Sequence, residues 1–198
     1  MIEQGVLHSD YRRLGAVAFP TYSGIQKYMQ EIDLSNITLP DELAGYLPTV
    51  KKMCAAAKAT VGKAFVTIDE KVVKAGMSQR RPGPHVDGCF IPDLNYWGHG
   101  GGWNHTCNNL PIPRMSVVVA ASVVGCRVWR GTFKGEPQND GDLSHIREQL
   151  DEGELVPAGV GFQLSPDCVH ESLPLNTDTQ RQFLRIALPV EVGCNYDA

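Results

Sequence analysis

Residues 159–190 read GVGFQLSPDCVHESLPLNTDTQRQFLRIALPV. The segment opens on a short apolar run, Gly159 to Leu164, breaks at Ser165-Pro166-Asp167 and resumes at Phe183 as FLRIALPV. Short runs of β-branched and aromatic residues bounded by Gly, Pro, Asn or Asp predict strands. Between them His170 lies in Cys168-Val169-His170, read as a strand interior, where an imidazole must be satisfied or ligated. Arg181 and Arg185 follow His170 by 11 and 15 residues. Four apart, they share one face of a regular strand. A guanidinium inside a barrel mouth is costly unless it meets an anion, and it grips a carboxylate in bidentate fashion.

The same rhythm extends outward. Ala64 to Val73, Met115 to Ala121 and Val123 to Phe133 are further strand-like runs, with one helical interruption at Asp142 to Leu150 (DLSHIREQL). Upstream, PDELAGYLPTVKKMCAAAKATVGKA from Pro40 is rich in Ala, Lys, Leu and Met. Asp41 and Glu42 suit a helix N-terminus, and Pro48 divides the segment, so one or two helices are expected. Many strands after a helical part predict a mainly β, α+β fold: an antiparallel sandwich or barrel with helices on one side. The chain is read as a single domain, with residues 1–63 as N-terminal helical support and residues 64–190 as the β core.

Composition narrows the function classes. With 198 residues, 42% hydrophobic and 20% charged, the chain has the profile of an ordinary folded domain. A net charge of -4 provides no overall positive field for nucleic acid or an anionic membrane, and the pairs Arg12-Arg13, Lys51-Lys52 and Arg80-Arg81 are too short to be basic tails. No stretch reaches the roughly 18 to 20 apolar residues of a membrane span, and the first residues lack a signal pattern, so a cytoplasmic address is expected. Six scattered cysteines without a CxxC pair are expected to be reduced thiols, mostly buried.

A second chemistry-bearing stretch is PGPHVDGCF, which places His85 and Asp87 two residues apart. On an extended segment both side chains project from one face, so one segment can supply two ligands to a metal. Alone, His-x-Asp is a common pair. With His170 it completes a set of two histidines and one carboxylate, the facial triad of non-haem iron(II) oxygenases, which leaves positions open for cosubstrate and oxygen. Immediately after, Pro92 to Pro113 forms a long stretch rich in glycine and containing Tyr96, Trp97 and Trp103. It is expected to be a lid or binding loop that selects the substrate. His99, His105 and Cys107 in it offer three metal-ligand types, but not at a recognised zinc spacing.

His-x-Asp, then an apolar strand with Gly and Ser-Pro-Asp before a His, then Arg-x-small within an apolar strand, resembles the Fe(II)/2-oxoglutarate-dependent dioxygenase superfamily. The resemblance spans about Ala64 to Val190 in sparse motifs. It implies a double-stranded β-helix, a jelly-roll or cupin-like core. It further implies iron on His85, Asp87 and His170, and Arg185 on the distal carboxylate of 2-oxoglutarate. Arg185-Ile186-Ala187 is similar to the family's Arg-x-Ser with Ala in place of Ser, and Arg181 is the competitor for the same role. Spacing from His170 to Arg181 is similar to that of taurine- and phytanoyl-CoA-type members, whereas HESLPL followed by RIAL resembles the end of TET-type nucleobase hydroxylases.

The activity implied is an oxidoreductase, a hydroxylase that consumes O2 and 2-oxoglutarate, releases succinate and carbon dioxide and hydroxylates a C–H bond. The primary substrate is left open among a nucleobase in DNA, a nucleotide, a protein side chain and a small metabolite. Two rivals predict different behaviour. A cupin-type metalloenzyme would ignore 2-oxoglutarate, and a metal-free β-barrel binding module would bind no stoichiometric iron.

Overall fold

In a computed structural model the described residues are 5–87, 90–91, 96–97, 106–107, 110–111, 115–138 and 141–189. Strands β1 (Val6–Ser9), β2 (Tyr11–Ala16) and β3 (Gln26–Asp33) open the chain. A 3-10 turn, Asp41–Tyr46, runs into helix α1 (Leu47–Ala56), followed by β4 (Lys63–Val73). Two-residue strands β5 (Phe90–Ile91) and β6 (Tyr96–Trp97) pair with each other, as do β7 (Thr106–Cys107) and β8 (Leu110–Pro111). Then come β9 (Met115–Ala121), β10 (Cys126–Val128), β11 (Gly131–Lys134), β12 (Glu154–Leu155), β13 (Val160–Leu164), β14 (His170–Ser172) and β15 (Thr179–Pro189).

Six strands form the main sheet in the order β2-β13-β9-β15-β4-β3, every neighbouring pair antiparallel. Its centre is β9, whose MSVVVAA is buried throughout, as a strand covered on both faces requires. Alternation then sorts the side chains. Val118, Ala120, Leu184, Ile186 and Leu188 pack with Val50, Met53 and Cys54 of α1. The opposite face presents Val117, Val119, Ala121, Phe183 and Ala187 to a second cluster that includes Val128 of β10. Each fully buried Val, Leu or Ile contributes about 1.5–3 kcal/mol, so both clusters hold the sheet between layers.

A shorter antiparallel sheet, β12-β10-β14, supplies Val128. It is continued by bridges from His85 to His170 and from His85 to Asp142. Its far side rests on a third cluster of Leu7, Val86, Trp129, Phe133, Leu143, Ile146 and Val169. Arg181, Phe183 and Arg185 share the face of β15 that looks toward this shorter sheet, so the inner layer carries charge as well as apolar surface.

The sequence reading of residues 1–63 as helical support needs correction. Helical turns occupy Asp41–Ala56, but β2 and β3 form the two edges of the main sheet and β1 pairs with β11. Leu7, Ser9 and Tyr11 are buried at every second position, the strand period, which the helix-centred reading of this segment passed over. Pro48 does mark a division, standing in the first turn of α1 where its missing N–H is not needed. The run expected as one strand from Val123 to Phe133 is two, β10 and β11, with Trp129 and Arg130 between them. The interruption at Asp142–Leu150 is a 3-10 turn, Ser144–Gln149. Among the described residues, no helix is long and apolar enough to cross a membrane.

Candidate metal centre

The two ligand segments are tied backbone to backbone. His85 N donates to His170 O at 2.9 Å and His170 N returns a bond to His85 O at 2.9 Å. Flanking residues set the side-chain directions: Val86 and Val169 point into the third cluster and Cys168 into the second, so His85, Asp87 and His170 project inward by alternation. The potential ligand atoms of His85, Asp87 and His170 lie within 4.8 Å of one another, a group that could hold a metal ion. His170, expected inside a strand, instead begins β14, and its imidazole is largely buried.

Both imidazoles are oriented by carbonyls. His85 Nδ1 lies 2.8 Å from Gly83 O, and His170 Nδ1 lies 2.9 Å from Cys168 O. An Nδ1–H donor to a carbonyl leaves the Nε2 lone pair of each ring for a cation, and such an outer partner fixes the tautomer and ring orientation. The rings stand 4.4 Å apart at 55°. Gly83 makes the first of these bonds possible, because its φ of +75° lies in the left-handed region that a side chain disfavours.

Asp87 Oδ1 is 3.9 Å from His170 Nε2, while Oδ2 is 3.3 Å from Arg185 Nη1. Burial raises the Asp87 carboxyl, but Arg185, His170 and His85 outweigh it, and the group stays ionised well below the usual carboxylate range. Burial, with the neighbouring His170, pushes His85 down to about 3. A neutral imidazole and an ionised carboxylate are the protonation states that metal ligation needs.

Arg181 and Arg185 occupy one face of β15, opposite Lys71 and Thr67 of β4 respectively. Their surroundings differ. Arg185 is paired with a member of the triad. Arg181, 1% exposed, donates Nε to Val123 O at 3.1 Å and Nη1 to Gln79 Oε1 at 2.6 Å, with Phe183 beside it. Among the described residues no carboxylate forms an ion pair with Arg181. Cys126, on the inner face nearby, is pushed up to about 12 by burial despite the Arg181 charge.

Sequence reasoning assembled the three ligands and both arginines but missed Gln79, the anchoring carbonyls of Gly83 and Cys168, and Asp69. The Gly two places before His85 was a readable turn signal, whereas Gln79 and Asp69 carry no local mark. Trp103, His99, His105 and the side chains of Tyr96, Trp97 and Cys107 lie outside the described residues, as do Cys89 and Cys194. Cys54, Cys126 and Cys168 are free thiols, two of them buried.

No family model matches the chain, and no curated protein does. Among solved structures, AviO1 from Streptomyces viridochromogenes Tue57 aligns over 93% of this chain and 92% of its own at 11% identity and a TM-score of 0.41. CytC3 aligns over 84% of this chain and 61% of its own, also at 11% identity, with a TM-score of 0.37. Likenesses this distant carry no chemistry from one chain to the other.

Proposed function

We propose that this protein is an Fe(II)- and 2-oxoglutarate-dependent oxygenase that hydroxylates a C–H bond of an organic substrate, releasing succinate and carbon dioxide. The observation that carries the reading is the buried His85-Asp87-His170 group, with both Nδ1 atoms committed to carbonyls and both Nε2 atoms left for a metal. Two imidazoles and one carboxylate fit iron(II) with coordination positions open. On this reading the main and shorter antiparallel sheets are the two halves of a double-stranded β-helix.

When bound, iron supplies the binding and reduction of O2 that permit attack on an unactivated C–H bond. The chain's own groups do the rest. His85 and His170 arrive already oriented, and Asp87 arrives ionised. Their reciprocal backbone bonds place both ligand segments on one rigid ladder, so little reorganisation is left for metal binding. The apolar inner cluster around Val117, Val119 and Phe162 excludes water from the reacting centre.

Of the two arginines, we assign Arg181 to the distal carboxylate of 2-oxoglutarate, the reverse of the order that Arg185-Ile186-Ala187 suggests. Arg185 already spends its charge on Asp87, in contact with a metal ligand. A five-carbon dicarboxylate chelating the metal through its 2-oxo acid end carries its other carboxylate away from the triad. Residues four apart on a strand are separated by roughly 13 Å. Arg181 is therefore the cation placed at a distance from the triad, and a guanidinium this buried needs an anion.

Anaerobic titration tests the reading. Addition of 2-oxoglutarate to the Fe(II) protein should develop a visible charge-transfer band with one-to-one stoichiometry, and admission of oxygen should then yield succinate. Stoichiometric iron with no band and no succinate would favour a metalloenzyme independent of 2-oxoglutarate. No stoichiometric iron would remove the metal reading altogether.

A further inference from the structure

The molecule is acidic overall, yet cations gather on the inner face along β15, from Arg185 beside the triad to Arg181 and its neighbours. Lys71 and Arg181 are direct cross-strand partners on β4 and β15, a like-charge pair that an antiparallel sheet disfavours. Arg80 lies 5.4 Å above the ring of Phe183, the residue between Arg181 and Arg185 on the same strand face. Asp69 stands opposite Phe183 and is shared by Lys71 Nζ at 3.2 Å and Arg80 Nη1 at 3.5 Å. Its carboxylate is thus divided between two cations.

The segment carrying Arg80 is fastened at several points. Gln79 donates to Asp69 O and accepts from Arg181, Ser78 Oγ donates to Arg80 O, and Arg80 N donates to Ser172 Oγ at 3.2 Å. Arg80 nevertheless keeps 31% of its side chain exposed and Lys71 keeps 40%. Both heads therefore have surface to offer a ligand. Among the described residues this corner holds four cations, Lys71, Arg80, Arg181 and Arg185, against the carboxylates of Asp69 and Asp87. A divalent metal and a dicarboxylate cosubstrate cancel each other, so loading the site leaves the excess of positive charge in place.

We propose that the primary substrate carries an oxyanion, a phosphate or a carboxylate, and that Lys71 and Arg80 receive it on the inner face at the Arg181 end of β15. This rests on the oxygenase reading for the metal and cosubstrate. The physical reason is complementarity: a site held positive at the expense of a like-charge cross-strand pair gains most from a negative ligand, and the field also draws such a ligand in. Net charge alone pointed away from anionic partners because it averages over the whole surface. The local arrangement does not.

The test uses the full chain loaded with Mn(II) in place of iron, with 2-oxoglutarate saturating so that Arg181 is engaged. Inorganic phosphate is titrated while its 31P relaxation is followed, and a parallel arm follows labelled acetate by 13C. Paramagnetic relaxation falls so steeply with distance that only an anion held near the metal responds. Saturable relaxation is expected. Lys71→Met and Arg80→Met should each weaken it about fivefold or more, with Lys51→Met on the exposed face of α1 unchanged. Preference between the arms decides phosphate against carboxylate. Relaxation that does not saturate, or that is equal in wild type and both variants, would overturn the proposal. So would relaxation that 2-oxoglutarate abolishes, since the anion would then be in the cosubstrate's place. Free Mn(II), read by electron paramagnetic resonance, separates the two failures: an unbound metal defeats the oxygenase reading, and a bound metal without saturable relaxation defeats only the anion site.

Discussion

Replacing Arg181 by Met should weaken 2-oxoglutarate binding strongly, and a measured melting temperature separates that loss from any cost to the fold. Arg181 has given up solvent almost entirely, so a carboxylate meeting it is bound in a low-dielectric interior rather than at a screened surface. A guanidinium has five N–H donors. Among the described residues one bonds Val123 O and one bonds Gln79 Oε1, which leaves three for a bidentate contact. Loss of such a charge-assisted contact costs on the order of 2 to 4 kcal/mol, about 30- to 1000-fold in apparent affinity. Orphaning Gln79 Oε1 and Val123 O costs about 1–3 kcal/mol each. Relief of the repulsion with Lys71 and of the buried charge offsets part of that. The assay is anaerobic titration of the charge-transfer band, with iron affinity and melting temperature measured alongside. Arg185→Met is the comparison: it removes a cation from beside Asp87, so iron binding should hold or tighten, and 2-oxoglutarate should weaken less than in Arg181→Met. If Arg181→Met titrates within about twofold of wild type while Arg185→Met loses the band, the assignment is wrong and the grip lies at Arg185.

Three further outcomes are expected. His170→Ala should abolish stoichiometric iron and succinate while circular dichroism stays native, because the ring reaches inward from the first residue of β14 and belongs to none of the three apolar clusters; retained turnover would refute the triad. Gly83→Ala forces a side chain into the left-handed region at φ +75°, costing about 1–2 kcal/mol, and should lower iron affinity by shifting the carbonyl that orients His85; unchanged iron binding would show that this bond does not matter. Glu70 accepts bonds from Tyr46, Gln182 and the Ser23 and Gly24 amides, and although burial raises its carboxyl these bonds hold it down at about 2. A depressed carboxylate gives stability that is complete above its ordinary value of about 4.3 and is lost as pH falls toward 2. Denaturant midpoints measured across that window should fall with pH in the wild type and flatten in Glu70→Gln; parallel curves would remove the group from the account.

Local pattern determined much of this protein. β4, β9, β13 and β15 were legible because β-branched and aromatic runs between turn residues have few other ways to bury themselves, and Pro48 was legible because a helix accepts proline only in its first turn. His85 and Asp87 were legible because a period of two puts both on one face. The same period marked Leu7, Ser9 and Tyr11, so β1 and β2 were available in the chain although a helix-centred reading passed them over. Other features were decided only by tertiary structure. That His170 returns to His85 through two backbone hydrogen bonds depends on a pairing 85 residues apart, which no window of sequence contains. Along the chain Arg181 and Arg185 remained competitors, with Ile186 and Ala187 favouring Arg185, and the neighbours that set them apart lie across space. Asp87 lies beside one guanidinium, while Gln79, the Val123 carbonyl and Lys71 surround the other. Strand period is a property of the local backbone and can be read from consecutive residues. Charge compensation depends on distances between segments, and those exist only once the sheets have closed on each other.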